Sequence, residues 1–295
     1  MSPRPCGGAR TLARMAKADA GARPVRRRAL RCAIVAGCAL AMSVVAARAQ
    51  DAAPGYSLVW HDEFERDGLP DPTRWSYDVG GHGWGNREPQ FYTDARLENA
   101  RVEGGHLVIE ARREPWQGAP YTSARLVTRG KGDWTYGRVD VRAQLPRGRG
   151  SWPAIWMLAT TPGPAKWPDD GEIDIMEHVG SDHGVVHASV HTRRYHHSIG
   201  TQKTATAPVP DAAEALHVYT LEWERERIRM SIDGREYFAF HRESDDTGVW
   251  PFATPFHLLL NVAVGGAWGG QQGIDESALP YRMLVDYVRV YRRVR

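Results

Sequence analysis

The sequence predicts an all-β fold, a sandwich of two antiparallel sheets. Three observations carry that expectation. Short runs of β-branched and aromatic residues recur along the chain: "HLVIEARR", "GRVDVRAQL", "AIWMLAT", "VVHASVH", "HVYTLEWE", "RIRMSI", "REYFAF", "HLLLNVAV" and "MLVDYVRVY". Gly, Pro and Asp punctuate them, and in "SIDGRE" Asp233 and Gly234 stand between two alternating runs, the composition of a two-residue hairpin turn. Helical periodicity is nearly absent; only "DAAEALH" at 211–217 reads as a turn or two of helix.

The N-terminus has a different character. A basic run, "RPVRRRALR", precedes the apolar stretch "CAIVAGCALAMSVVAA" and then "ARAQ". That order predicts a secretory signal over residues 1–49, cleaved after Ala49, and so an exported protein, secreted or periplasmic. A membrane anchor is the alternative, but the apolar stretch is short for a hydrocarbon core about 30 Å thick. Arg26, Arg27 and Arg28 leave a twin-arginine exporter open, and "VAGC" ending at Cys38 only loosely resembles a lipoprotein box.

From residue 50 to 295 no repeat, linker or low-complexity tract interrupts the chain, which predicts one domain. Cys6, Cys32 and Cys38 all precede it, so neither disulfides nor thiol chemistry are expected in it. The leader holds ten of the 38 Lys and Arg and one of the 35 Asp and Glu. The remainder therefore carries 28 basic against 34 acidic residues, a net charge of −6 that argues against nucleic acid or an anionic membrane as partner. The 11 Trp and 11 Tyr must largely fill the space between sheets. Several instead sit among Gly and polar residues, as in "GGHGWGNREPQFYT", "GSWPAIWML" and "GGAWGG", where a ring can stack on a flat ligand face.

The chemistry-bearing stretch is "GEIDIMEHVG". Read as a helix, Glu172 and Asp174 would lie about 200° apart and could not act together. Read as a strand, Ile173 and Ile175 face the core while Glu172 and Asp174 face away from it. Strict alternation would then bury Glu177 with the isoleucines, at high cost for a lone carboxylate. A β-bulge at Ile175 and Met176 removes the conflict by returning Glu177 to the face of the other two. Paired carboxylates on one face suit glycoside hydrolysis, one attacking the anomeric carbon and the other protonating the leaving oxygen. A Ca²⁺ site or a solvated charged strand remains open from spacing alone. Trp152 and Trp156, sharing a strand face, tilt the reading towards a sugar.

With those motifs in view, the chain resembles glycoside hydrolase family 16, and within it the bacterial laminarinase-like endo-β-1,3-glucanases. "GSWPAIWML", "DGEIDIMEHVG", "VVHASVHT", "NVAVGGAW" and "MLVDYVRVY" stand in that family's order, and "LVWHDEF", "GWGNREPQFYT", "ARVEGGHLVIEARRE" and "SARLVTRGKGDWTYGRVDVRAQLP" match upstream. The resemblance spans residues 56–292. It implies a β-jelly-roll with an open cleft on its concave face, and a retaining mechanism with Glu172 as nucleophile, Asp174 assisting and Glu177 as acid/base. It also implies substrate contacts at Asn86, Arg125, Trp152, Trp156, His191 and Trp268. Position 87 departs from the pattern, with Arg in place of Asn, and the Trp268 loop carries Ala267 and Gly269 as substitutions.

The resemblance further implies a structural Ca²⁺ near Glu63, the carbonyl of Gly105 and Asp286, although plain surface charge would equally explain the two carboxylates. No cofactor is expected for catalysis. Zinc on His187, His191, His196 and His197 is set aside, because at strand spacing the first two side chains spread along one face and no cysteine is at hand. The expected protein is a monomeric endo-glucanase acting on internal β-1,3 bonds of laminarin-type glucans. Agarose, carrageenan, mixed-linkage glucan or transglycosylation are the alternatives within the fold, and a non-catalytic glucan-binding module is the alternative outside enzymes.

Overall fold

The computed structural model describes residues 54–294, so the expected signal segment lies outside the described residues. Two sheets account for the chain. The first runs Lys203–Pro208, Val185–His191, Glu172–His178, Ser151–Ala159, Phe256–Val264, Arg125–Val127 and Ser76–Tyr77, with Asp133–Trp134 also paired to Phe256–Val264. The second runs Arg235–His241, Arg227–Ile232, His217–Trp223, Gly137–Gln144, Tyr281–Arg293, His106–Trp116, Ala119–Ser123 and Gln90–Tyr92. Tyr56–Asp62 adds to Tyr281–Arg293, and Ala100–Glu103 to His106–Trp116. Pairing is antiparallel throughout except between Gln90–Tyr92 and Ala119–Ser123. The all-β expectation holds.

Local chemistry explains the details. Asp233 and Gly234 both take positive φ, 50° and 79°, and Ile232 pairs directly with Arg235, as a two-residue primed turn requires. "DAAEALH" forms a single turn closed by Ala215 N–H donating to Asp211 O, too short to count as a helix. Gly137 lies where a Cβ would stand 2.4 Å from the carbonyl oxygen of Tyr291, so glycine lets Gly137–Gln144 approach Tyr281–Arg293 closely.

The two sheets meet over one apolar core. Ile155, Met157, Ile173, Val186, Ala188, Val190, Leu258, Leu260 and Val262 come from the first sheet, and Val141, Tyr219, Leu221, Met230, Phe238 and Val285 from the second. Alternation is strict in Ser151–Ala159: Ile155 and Met157 enter the core while Trp152, Ala154, Trp156 and Leu158 line a cleft on the opposite face. Phe256–Val264 is buried at every position, core on one face and cleft floor on the other. It is the rigid element beneath the site.

Replacing Leu260, fully buried in that strand, by Ala should cost about 2–5 kcal/mol of unfolding free energy. Urea denaturation checks it, and a loss well under 1 kcal/mol would contradict the packing described.

Candidate active site

The bulge inferred from the spacing is present. Against Ser151–Ala159 the register steps from Ile155–Met176 to Trp156–Asp174, and against Val185–His191 it steps from Asp174–Ser189 to Glu177–His187. Two residues, Ile175 and Met176, therefore oppose Ala188 alone. Both side chains enter the core. Glu172, Asp174 and Glu177 consequently share the cleft face, lining a cavity of about 550 Å³ with Trp84, Trp152, Trp156, Trp167, Arg125 and Asn261.

The carboxyl groups are held from several sides. Trp152 Nε1 donates to Glu177 Oε1 at 3.0 Å, and Trp167 Nε1 donates to Glu172 Oε2 at 2.5 Å. His191 Nε2 lies 3.2 Å from Asp174 Oδ2. Glu172 and Asp174 share a hydrogen bond. Burial is the leading cause that raises all three pKa values, and their mutual charge adds to it: Asp174 raises Glu172, and Glu172 raises Glu177. Glu172 is pushed up to about 8 and Glu177 to about 7, with Asp174 raised as well. The trio therefore does not carry three charges at neutral pH, and its protons titrate as a set.

A polar network backs the cleft. Glu88 accepts from Asn86 Nδ2 at 3.2 Å, Gln90 Nε2 at 2.7 Å and Tyr92 Oη at 3.2 Å. Asn261 Nδ2 donates to Tyr92 Oη at 3.0 Å, while its Oδ1 accepts from Trp156 Nε1 at 2.7 Å. Arg125 lies between Trp84 and Trp156, its guanidinium carbon 4.6 Å from each ring centroid, and donates to Asp78 Oδ2 at 3.1 Å. Arg125 thus lines the cleft and is ion-paired with Asp78 in one geometry. Asn86 reaches the cleft but spends its amide on Glu88.

Trp268 stands behind the lining. It packs edge-on to Trp152 at 5.5 Å and to His187 at 4.9 Å, supporting the ring that holds Glu177. His191 lies beneath Asp174 and is 6 % exposed. Sequence reasoning missed Trp167 and Asn261, whereas Trp84 lies in an aromatic stretch it singled out and His197 was weighed only for zinc. The polar Asn261 in "LLLNVAV" was an available signal, whereas Trp167 comes from the 160–171 loop, which carries no periodicity.

Among the described residues, the group of three metal-capable side chains with ligand atoms within 4.8 Å is Glu172, Asp174 and His191, not the histidine set weighed from the sequence. The residues expected to hold Ca²⁺ fit it incompletely. Glu63 gives both oxygens to Arg289, at 2.9 Å each. Asp286 lies beside the turn containing Gly105, with His106 Nε2 4.0 Å from Oδ1, and accepts from Arg142 at 2.6 Å through Oδ2. Glu63 is thus the carboxylate partner of Arg289 in this structure.

A folded-state pKa above the unfolded one means that the native state binds protons more tightly, so its contribution is full below the unfolded value and is lost as pH rises through the folded one. For Glu172 and Glu177 that window runs from the ordinary 4.5 to about 8 and about 7. Thermal unfolding should show the melting temperature falling between pH 5 and pH 8, and Glu172→Gln should flatten that fall. An unchanged slope in the variant would contradict a raised Glu172.

Comparison with known proteins follows the same lines. The family model described as Glycosyl hydrolases family 16 matches residues 87–289. The chain is 56% identical over 277 residues to the Beta-glucanase of Rhodothermus marinus, covering 92% of this chain and 96% of that one. It superposes on the X-ray structure of the laminarinase from Rhodothermus marinus with a TM-score of 0.80 at 58% identity, over 83% of this chain and 100% of that one. A non-specific endo-beta-1,3(4)-glucanase from family GH16, co-crystallized with 1,3-beta-D-cellotriosyl-glucose, gives 0.78 at 46% identity over 81% and 95% of the two chains. The bulged carboxylate strand, the tryptophan-lined cleft and these matches agree, and the chain belongs to glycosyl hydrolase family 16.

Proposed function

We propose that the protein is an endo-acting, retaining glycosidase that hydrolyses internal β-1,3 bonds of laminarin-type glucans. The observation that carries this reading is the placement of Glu172, Asp174 and Glu177 on one face of a tryptophan-lined cleft by a bulge at Ile175 and Met176. Flat apolar sugar faces stack on Trp rings, and a cleft open along its length accepts an internal segment of a chain.

In the first step the Glu172 carboxylate attacks the anomeric carbon while Glu177 gives its proton to the departing glycosidic oxygen. The product half of the glucan leaves as an alcohol and a glycosyl ester of Glu172 remains. In the second step the Glu177 carboxylate takes a proton from water, the resulting hydroxide equivalent attacks the same carbon, and Glu172 is released with configuration retained. Trp152 occupies Oε1 of Glu177, so Oε2 is the atom for the glycosidic oxygen. Trp167 and Asp174 orient Glu172. These steps run on side-chain acid and base, and the family's glucanases need no cofactor for catalysis.

The solved relative active on both linkage types favours one second reading, that mixed-linkage β-1,3(4)-glucan is also cut. Export rests on the N-terminal leader pattern and belongs to the same proposal. Incubation with laminarin, lichenan, agarose and carrageenan, followed by reducing ends and product sizes, tests substrate and endo action. Laminarin should yield oligosaccharides of mixed length, and no product from laminarin would overturn the reading. Glu172→Gln should lower kcat on laminarin by about four orders of magnitude or more, as removal of a nucleophile does; near-native turnover would remove Glu172 from the role.

A structural Ca²⁺ near Glu63, the carbonyl of Gly105 and Asp286 belongs to the same proposal, where it would act on stability alone. EDTA should then lower the melting temperature by several degrees, restored by CaCl₂, with kcat below that transition unchanged. An unmoved transition would remove calcium from this site.

A further inference from the structure

We propose that Tyr237 is a positioning residue for the proton donor: its hydroxyl pins the backbone bulge that aims Glu177. The inference rests on the reading of Glu177 as acid/base.

A bulge leaves its extra residue outside the ladder, and a buried carbonyl there must find another donor. Ile175 is that residue on the Ser151–Ala159 side, since Met176 pairs with Ile155 and Asp174 with Trp156. Its side chain is 1 % exposed. The donor comes from the opposite sheet: Tyr237 Oη donates to the carbonyl oxygen of Ile175 at 3.0 Å.

Tyr237 reaches across because it is itself the extra residue of a second bulge. Met230 pairs with Phe238 and Ser231 with Glu236, so position 237 has no partner in the register. Phe238 and Phe240 enter the core and Ala239 is exposed. Strict alternation would turn Tyr237 outwards with Ala239; the bulge turns it inwards beside Phe238, packed against the core. Two irregularities, one in each sheet, thus meet at a single hydrogen bond across the sandwich. Burial raises the pKa of the Tyr237 hydroxyl and the nearby Glu177 and Asp174 charges raise it further, so it remains a donor over the working range.

The consequence follows from parity. Glu177 is two residues beyond Ile175, and its presence on the cleft face depends on the two-against-one count opposite Ala188. Without the pin, the buried Ile175 carbonyl loses this donor, and a backbone rotation or a one-residue slip that relieves the loss carries Glu177 away from the glycosidic oxygen. Glu172 and Asp174, on the regular side of the bulge, keep their places.

The test separates proton donation from everything else by the leaving group. Protonation matters for laminarin and is dispensable for a 2,4-dinitrophenyl β-laminaribioside, whose leaving group departs as a stable anion. Tyr237→Phe should lower kcat/KM on laminarin about 10- to 100-fold, by kcat with KM held, while the activated substrate stays within about twofold. The laminarin pH profile should also shift on its basic limb, which reports Glu177. Tyr219→Phe, which removes a buried hydroxyl without a hydrogen-bond partner, should show neither effect.

Wild-type kinetics in Tyr237→Phe, or equal losses on both substrates, would overturn the proposal, as would the same leaving-group split in Tyr219→Phe. Glu177→Gln, measured alongside, tells the two readings apart. A strong split there with none in Tyr237→Phe removes only the tyrosine's role, whereas no split in Glu177→Gln removes the acid assignment and the proposal with it. Deletion of Ile175 supplies a second background: with the bulge gone, adding Tyr237→Phe should change nothing further, and an additional loss on laminarin would mean that the hydroxyl acts elsewhere.

Discussion

Three carboxyl groups on one strand, backed by isoleucine and methionine, form the constraint on which the rest of the site depends. Each carboxyl is costly to bury, and two neighbouring negative charges add to the cost. A sequence that merely alternated would avoid the problem by placing one of the three in the core, which is worse still. The chain resolves it by backbone geometry. One unpaired residue restores Glu177 to the cleft, and both Ile175 and Met176 are then free to pack inwards. The apolar character of the segment and its unusual charge density are two aspects of the same solution.

The cleft around this strand supplies donors where charge must be tolerated. Indole N–H groups of Trp152 and Trp167 satisfy the outer two carboxyls without adding a positive charge that would fix them as permanent anions. The guanidinium that lines the cleft, Arg125, is held between two rings and tied to Asp78. Glu88, whose pKa burial raises, is likewise satisfied mainly by neutral amides and a tyrosine. Neutral donors preserve proton mobility in the trio, which a close salt bridge would quench. All of this rests on Phe256–Val264, buried from end to end, so that the cleft floor cannot easily deform.

Much of this was legible in the sequence because parity carries information in strands. The two-then-three spacing of Glu172, Asp174 and Glu177 demanded a bulge, and the four-residue spacing of Trp152 and Trp156 put both rings on one face. What escaped depends on contacts between residues distant in sequence. Trp167 reaches Glu172 from a loop without periodicity. Glu63 is claimed by Arg289, 226 residues away, and nothing in "HDEF" signals that partner. The parallel pairing of Gln90–Tyr92 with Ala119–Ser123 follows from chain path alone. Tyr237 illustrates the limit most clearly: a tyrosine in "REYFAF" creates no polar conflict when alternation is assumed, so the second bulge leaves no trace in the pattern.

The same electrostatics bear on how one glutamate serves as acid and then as base. After burial, the charge of Glu172 is the largest cause that raises Glu177. When Glu172 becomes a glycosyl ester in the proposed cycle, that charge disappears, and the pKa of Glu177 must fall. A group that held its proton in the first step is thereby released to act as a base in the second. The attacking residue thus controls the protonation of its partner through the bond it forms, and the coupling requires both groups to be desolvated in one low-dielectric cleft. Separating them by solvent would ease the folding cost and weaken the alternation between roles. The expense of burying the trio is therefore inseparable from the chemistry it performs.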